Sequence, residues 1–197
     1  MRVFGIDPGS ERTGYGCVET DGRRHRLVTC GAIATAGCAD FAARLATIHD
    51  ALAAQLRDCR PAVVAIESLF HAANVRSALK LGHARGVAML AAVQAGVPVV
   101  EYSPSEVKRA VVGYGRAEKG QVQQMIKLLL GLDTAPTPHD AADALAVALC
   151  HVHRLPAQAA TTAAPEPRRT GSLTSWRAYG PDASAPARSG RRGAARS

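Results

Sequence analysis

Four acids on three separated segments are the residues best placed to do chemistry. Asp7 ends the apolar run of "VFGIDPGS", where Pro8 and Gly9 stop the chain at once. Glu67 ends a second apolar run, "AVVAIE". Asp140 and Asp143 open "HDAADALAVAL", three residues apart and therefore on one face of a helix. Each has a plainer reading. Asp is a common turn residue, because its side chain bonds the backbone two residues on. Acids in the first turn of a helix suit its dipole. Yet neighbouring strands that both end on an acid bring like charges together and raise each other's pKa. A cation between them removes that cost. Hard divalent ions take oxygen ligands, and magnesium keeps several waters. Two such ions in one site activate a water and stabilise the leaving oxygen of a phosphodiester.

The elements that must position these acids follow from period and punctuation. Residues 2 to 7 form a strand, and "RTGYGCVE" (12 to 19) returns as a second. Asp21-Gly22 signals a hairpin into a third strand over 25 to 35. Phe41, Leu45, Ile48, Leu52 and Leu56 then recur at helical spacing. A buried strand over 62 to 67 precedes a long Ala- and Gly-rich helix, about 74 to 95, and a fifth strand over 97 to 103. "SPSE" at 103 to 106 fits an N-cap with Pro at the first helical position and Glu three residues on. Helices follow over 118 to 130 and 139 to 153, the last with Leu145, Leu149 and Val152 on one face. The order βββ-α-β-α-β-α-α-α predicts an α/β fold. Its sheet is mixed and five-stranded, three antiparallel strands then parallel ones, with helices on both faces. In such sheets functional groups gather at strand ends. Ala141, Ala142, Ala144 and Ala146 are small enough to let the last helix lie close and hold both its acids there.

The chain has 197 residues and a formal charge of +8, which favours a polyanionic partner, nucleic acid above all. The charge is uneven. Residues 157 to 197 hold seven arginines against Glu166 and Asp182, a net +5. This predicts two parts: a folded domain over 1–155 and a basic, disordered C-terminal tail over 156–197, where Trp176 and Tyr179 stand among the arginines. Five cysteines without a CxxC pair suggest neither a zinc site nor a disulfide framework, and fit a reducing cytoplasm. Asp7 comes too early for a secretory signal, and the longest uncharged run, 86 to 100, is too short to span a bilayer. No membrane association is expected.

"GIDPGSERTGYG", "AIESLF", "ALKLGHARG", "EYSPSEVKRAVVGYGRAEKGQVQQMI" and "HDAADALAVAL" together resemble the RuvC family of bacterial Holliday-junction endonucleases, in one consistent order over residues 1 to 153. The resemblance implies a ribonuclease H-like fold and a homodimer. It implies symmetric nicking of four-way DNA junctions, in recombination and repair, to ligatable 5′-phosphate ends. It also implies two Mg2+ ions per site, with Mn2+ as a substitute, and the RuvA and RuvB branch-migration proteins as partners. The metal-binding and catalytic acids of the family fall on Asp7, Glu67, Asp140 and Asp143. Lys119 falls near the scissile group and Lys108 on phosphate. Phe70 matches an aromatic that probes unstacked bases, a contact worth roughly 1–3 kcal/mol. Arg76, Lys80 and Arg85 are further candidates for the DNA track. His139, one residue from Asp140, stands about 100° round the helix and is placed behind the ligands or at the cap. The long helix, with Ala78, Gly82, Gly86 and Ala88, is the candidate dimer face.

Two other classes compete. Actin-like ATPases share an early acidic strand and Gly-rich turns, but need two related domains; robust ATP turnover without nuclease activity would favour them. A structure-specific DNA-binding protein without chemistry would bind junctions equally with or without the acids.

Overall fold

A computed structural model of the chain describes residues 1–68 and 74–161, with side chains through Leu155. Its strands are β1 (Arg2–Asp7), β2 (Arg12–Thr20), β3 (His25–Ala34), β4 (Val63–Glu67) and β5 (Val99–Tyr102). Its helices are α1 (Phe41–Cys59), α2 (Val75–Gln94), α3 (Pro104–Val112), α4 (Lys119–Leu129) and α5 (His139–Thr161). The strands form one sheet in the order β3-β2-β1-β4-β5. β1, β2 and β3 pair antiparallel, while β4 and β5 join parallel to β1. This is the mixed five-stranded sheet that the element order predicts, in the ribonuclease H-like arrangement that the resemblance implies.

Alternation along β1 and β4 divides the core in two. Phe4, Ile6, Val64 and Ile66 face α1 and α2, against Ile48, Leu52, Leu56, Ala84 and Ala88. Val3, Val63 and Ala65 face α3, α4 and α5, against Val107, Ile126, Leu145 and Leu149. A strand's side chains alternate faces. Asp7, two residues beyond Gly5, and Glu67, two beyond Ala65, must therefore both point to the α5 side.

Local chemistry sets the element ends. Asp40 caps α1 by accepting from the Ala43 amide, and Asn74 caps α2 by accepting from that of Ser77. Ser103 and Glu106 form the reciprocal capping box that "SPSE" predicts, with Pro104 in the first turn. The fifth strand is shorter than the apolar run, because the Val97 amide turns back to the Ala92 carbonyl and Pro98 has no amide to donate. α5 runs past the expected end at 153 to Thr161, so residues 156–161, expected in the disordered tail, are helical. Beyond that end, the expected basic tail lies outside the described residues.

The small-residue stripe of α2 divides. Ala84, Ala88, Ala91 and Ala92 are buried against the chain's own sheet and α1, so Ala88 does not belong to an outward face. Ala78, Gly82 and Gly86 do face outward, beside Leu79 and Leu90, which are 59% and 49% exposed. With Leu45 of α1, His83 and Val87 they line an open apolar groove. Among the described residues no helix is long and apolar enough to cross a membrane.

Candidate active site

The parallel register pairs Ile6 with Ile66, so Asp7 and Glu67 follow side by side at the ends of adjacent strands. α5 is brought onto them by glycines in the sheet. A Cβ on Gly5 would lie 2.0 Å from the Ala144 carbonyl oxygen, and one on Gly14 2.0 Å from that of Asp140. A Cβ on Gly16 would lie 2.6 Å from Leu145 Cδ2. Gly14 is the β2 partner of Asp7. The first turn of α5 therefore rests on the strand beside Asp7, and Asp140 and Asp143 come with it. The expected close approach is real, but it depends on the sheet's glycines as much as on the alanines of the helix.

Asp7, Glu67 and Asp143 line one cleft of about 320 Å³. Lys108 of α3 and Lys119, the first residue of α4, close its other side, over walls of Val107, Val122 and Ala146. Lys119 Nζ lies 3.5 Å from Asp143 Oδ2. Asp140 does not line the cleft, although its charge acts on Asp7, and Arg12 Nε lies 3.7 Å from its Oδ2. Arg12 is not singled out by the sequence, since a lone basic residue after a turn has no signature.

The carboxyls crowd one another. Burial, and then the charges of Glu67 and Asp143, push the Asp7 pKa up to about 8. Glu67 is also raised, first by burial, while its hydrogen bond with Asp7 and the charges of Lys119 and Lys108 pull the other way. Asp7 and Glu67 thus share a proton that offsets part of their charge. Among the described residues no three acids or histidines close into a finished ion cage. The donor set is nonetheless all carboxylate oxygen in the cleft, which is the chemistry of a hard divalent ion. A cation replacing the shared proton would relieve the same repulsion. The residues fit such a group.

The other predicted residues scatter. Phe70 lies outside the described residues. Arg76 and Lys80 are exposed on α2, and the Lys80 ammonium lies 6.0 Å from the Phe41 ring centroid. Arg85 turns onto β5, where its guanidinium pairs with Glu101. His139 opens α5, is exposed and does not line the cleft.

Known proteins share this fold. The profile of the family described as crossover junction endodeoxyribonuclease RuvC matches residues 3–151. The RuvC protein of Syntrophotalea carbinolica is 57% identical over 153 residues, 78% of this chain and 94% of that protein. The structure of Thermus thermophilus RuvC superposes with a TM-score of 0.73 at 38% identity, over 82% of this chain and 98% of that one. The same protein in complex with a Holliday junction substrate gives 0.72 at 37% identity, over 78% and 94%. The chain belongs to the RuvC family of crossover junction endodeoxyribonucleases.

Proposed function

We propose that the chain is a divalent-metal-dependent endonuclease that resolves four-way DNA junctions by two symmetric nicks in strands of like polarity, in recombination and repair. The observation that carries this is the adjacency of Asp7 and Glu67 beneath the first turn of α5, facing two lysines across one cleft. Asp7, Glu67, Asp143 and Asp140 would hold the ions, the first three from inside the cleft. Bound divalent ions, two Mg2+ or in their place Mn2+, supply an activated water and charge neutralisation at the leaving 3′ oxygen. The acids act as ligands, so no covalent enzyme–DNA adduct forms, and the products carry 5′ phosphates. Lys119 meets the scissile phosphate and Lys108 a neighbouring one, a reading supported by both lysines lining the cleft with Asp143. The N-terminus of α5 adds a favourable dipole to the acidic cluster. Phe70 takes the unstacked base, Arg76 and Lys80 extend the DNA track along α2, and RuvA and RuvB deliver the junction in the cytoplasm.

A junction has an approximate two-fold axis, and two identical sites about it require a two-fold homodimer. The groove on α2 supports this face: Leu79, Gly82, Gly86 and Leu90 form a contiguous apolar patch rather than scattered exposures. The test is an end-labelled four-way junction with Mg2+. Paired nicks at symmetric positions, absent from a linear duplex of the same sequence, are expected. Binding without cutting would leave only a structure-specific binder, and ATP turnover without cutting would leave the actin-like reading.

A further inference from the structure

The loop from α3 to α4, residues 113–118, holds an aromatic ring outside the core. Tyr114 is 47% exposed. Its neighbours are anchored: the Gly113 amide donates to the Arg109 carbonyl where α3 ends, and Ala117 is 1% exposed. The ring is anchored too. The Tyr114 hydroxyl donates to Gln121 Oε1 at 2.8 Å, and the same oxygen accepts from the Glu118 amide at 2.9 Å. That amide bond belongs to the capping box that opens α4, whose first residue is Lys119. The ring is thus tied to Gln121, two residues along α4 from Lys119, which lines the cleft.

Cations outnumber acids on this segment, Lys108, Arg109, Arg116 and Lys119 against Glu106 and Glu118. Arg109 and Arg116 are exposed on the same segment, and Lys108 and Lys119 face the cleft. The acids of the segment are committed, Glu106 to Ser103 and Arg154, and Glu118 to the cap. A rigid aromatic among cations is how proteins hold a nucleic-acid strand: the π-face takes a base or sugar and the cations take phosphates. A ring fixed before binding loses little freedom on contact. Resting on the reading of the cleft as a junction nuclease, we infer that Tyr114 packs against the nucleotide flanking the scissile phosphate and helps hold the strand in the cleft.

The test compares Tyr114→Ala and Tyr114→Phe with the parent, by junction Kd in EDTA and by KM and kcat with Mg2+. Tyr114→Ala should weaken Kd and KM by roughly five- to twentyfold, with kcat within about twofold of the parent. Tyr114→Phe, which keeps the ring, should stay close to the parent. A 5-iodouracil beside the scissile phosphate should photo-crosslink to position 114 of the parent. Unchanged Kd and KM in Tyr114→Ala, or a crosslink confined to other positions, would overturn the inference. So would equal losses in both variants with a lowered Tm, since the hydroxyl would then serve the fold. A parent that binds junctions but does not cut them would instead contradict the proposed function, and Kd would still read the Tyr114 contact.

Discussion

Asp7 sets the pH behaviour of the metal-free protein. Its carboxyl rises from an ordinary 3.8 to about 8 through burial and the charges of Glu67, Asp143 and Asp140. A carboxyl that holds its proton more tightly folded than unfolded stabilises the fold below its unfolded value. That contribution is lost as pH rises from about 3.8 through about 8. In EDTA, thermal melts should therefore show stability falling between acid and mildly alkaline pH. Asp7→Asn should flatten that dependence and be more stable than the parent near pH 8, by roughly 1–3 kcal/mol. Mg2+ should raise the Tm of the parent and have little effect on the variant. A variant less stable than the parent under all conditions would mean that Asp7 is not strained by its neighbours. These acids were legible in sequence because a strand that ends on a charge is unusual, and Asp7 and Glu67 do so in the same way. The pairing of Arg12 with Asp140 was not legible, since it depends on where α5 comes to rest.

That resting place is fixed by strand glycines. Gly14 has the Asp140 carbonyl directly above it, so a methyl there must lift the first turn of α5 away from Asp7. Gly14→Ala should cost roughly 1–3 kcal/mol in stability, and junction cutting should fall far more than that loss explains. Gly120→Ala in α4 is the control, with nothing within 4 Å of the added Cβ. It should keep its fold and gain up to about 1 kcal/mol from helix propensity. Chemical denaturation and junction cleavage of both variants check this; equal activity in the two would show that α5 is not held by Gly14. The strand order, capping box and amphipathic helices were readable because period, Pro and Ser-x-x-Glu act locally. The glycines were not. A glycine's requirement lies in the layer above it, and "GIDPG" and "RTGYG" read equally well as flexible turns and strands. The same limit misplaced Ala88: in a helix rich in Ala and Gly, small residues mark every face, and only Ala84, Ala91 and Ala92 around it show which face is buried.

At the scale of the assembly, the proposed dimer face is the outward groove of α2. Leu79→Glu should shift the chain to a monomer in sedimentation while leaving the cleft intact. Paired cutting should then give way to slow, uncoordinated nicks; a dimer that persists in this variant would move the interface elsewhere. Resolution by paired sites needs both the acids of the cleft and this two-fold pairing, and a mixing experiment reads both. Parent protein is mixed with increasing Asp7→Asn protein, and a labelled four-way junction with Mg2+ is followed for single nicks and full resolution. Asp7→Asn alone should bind the junction and cut nothing, and mixtures should accumulate junctions nicked in one strand beyond what dilution of the parent produces. Resolution by Asp7→Asn alone would contradict the site. Loss of activity in simple proportion, with no excess of single nicks although the subunits have exchanged by mass measurement, would contradict the paired mechanism.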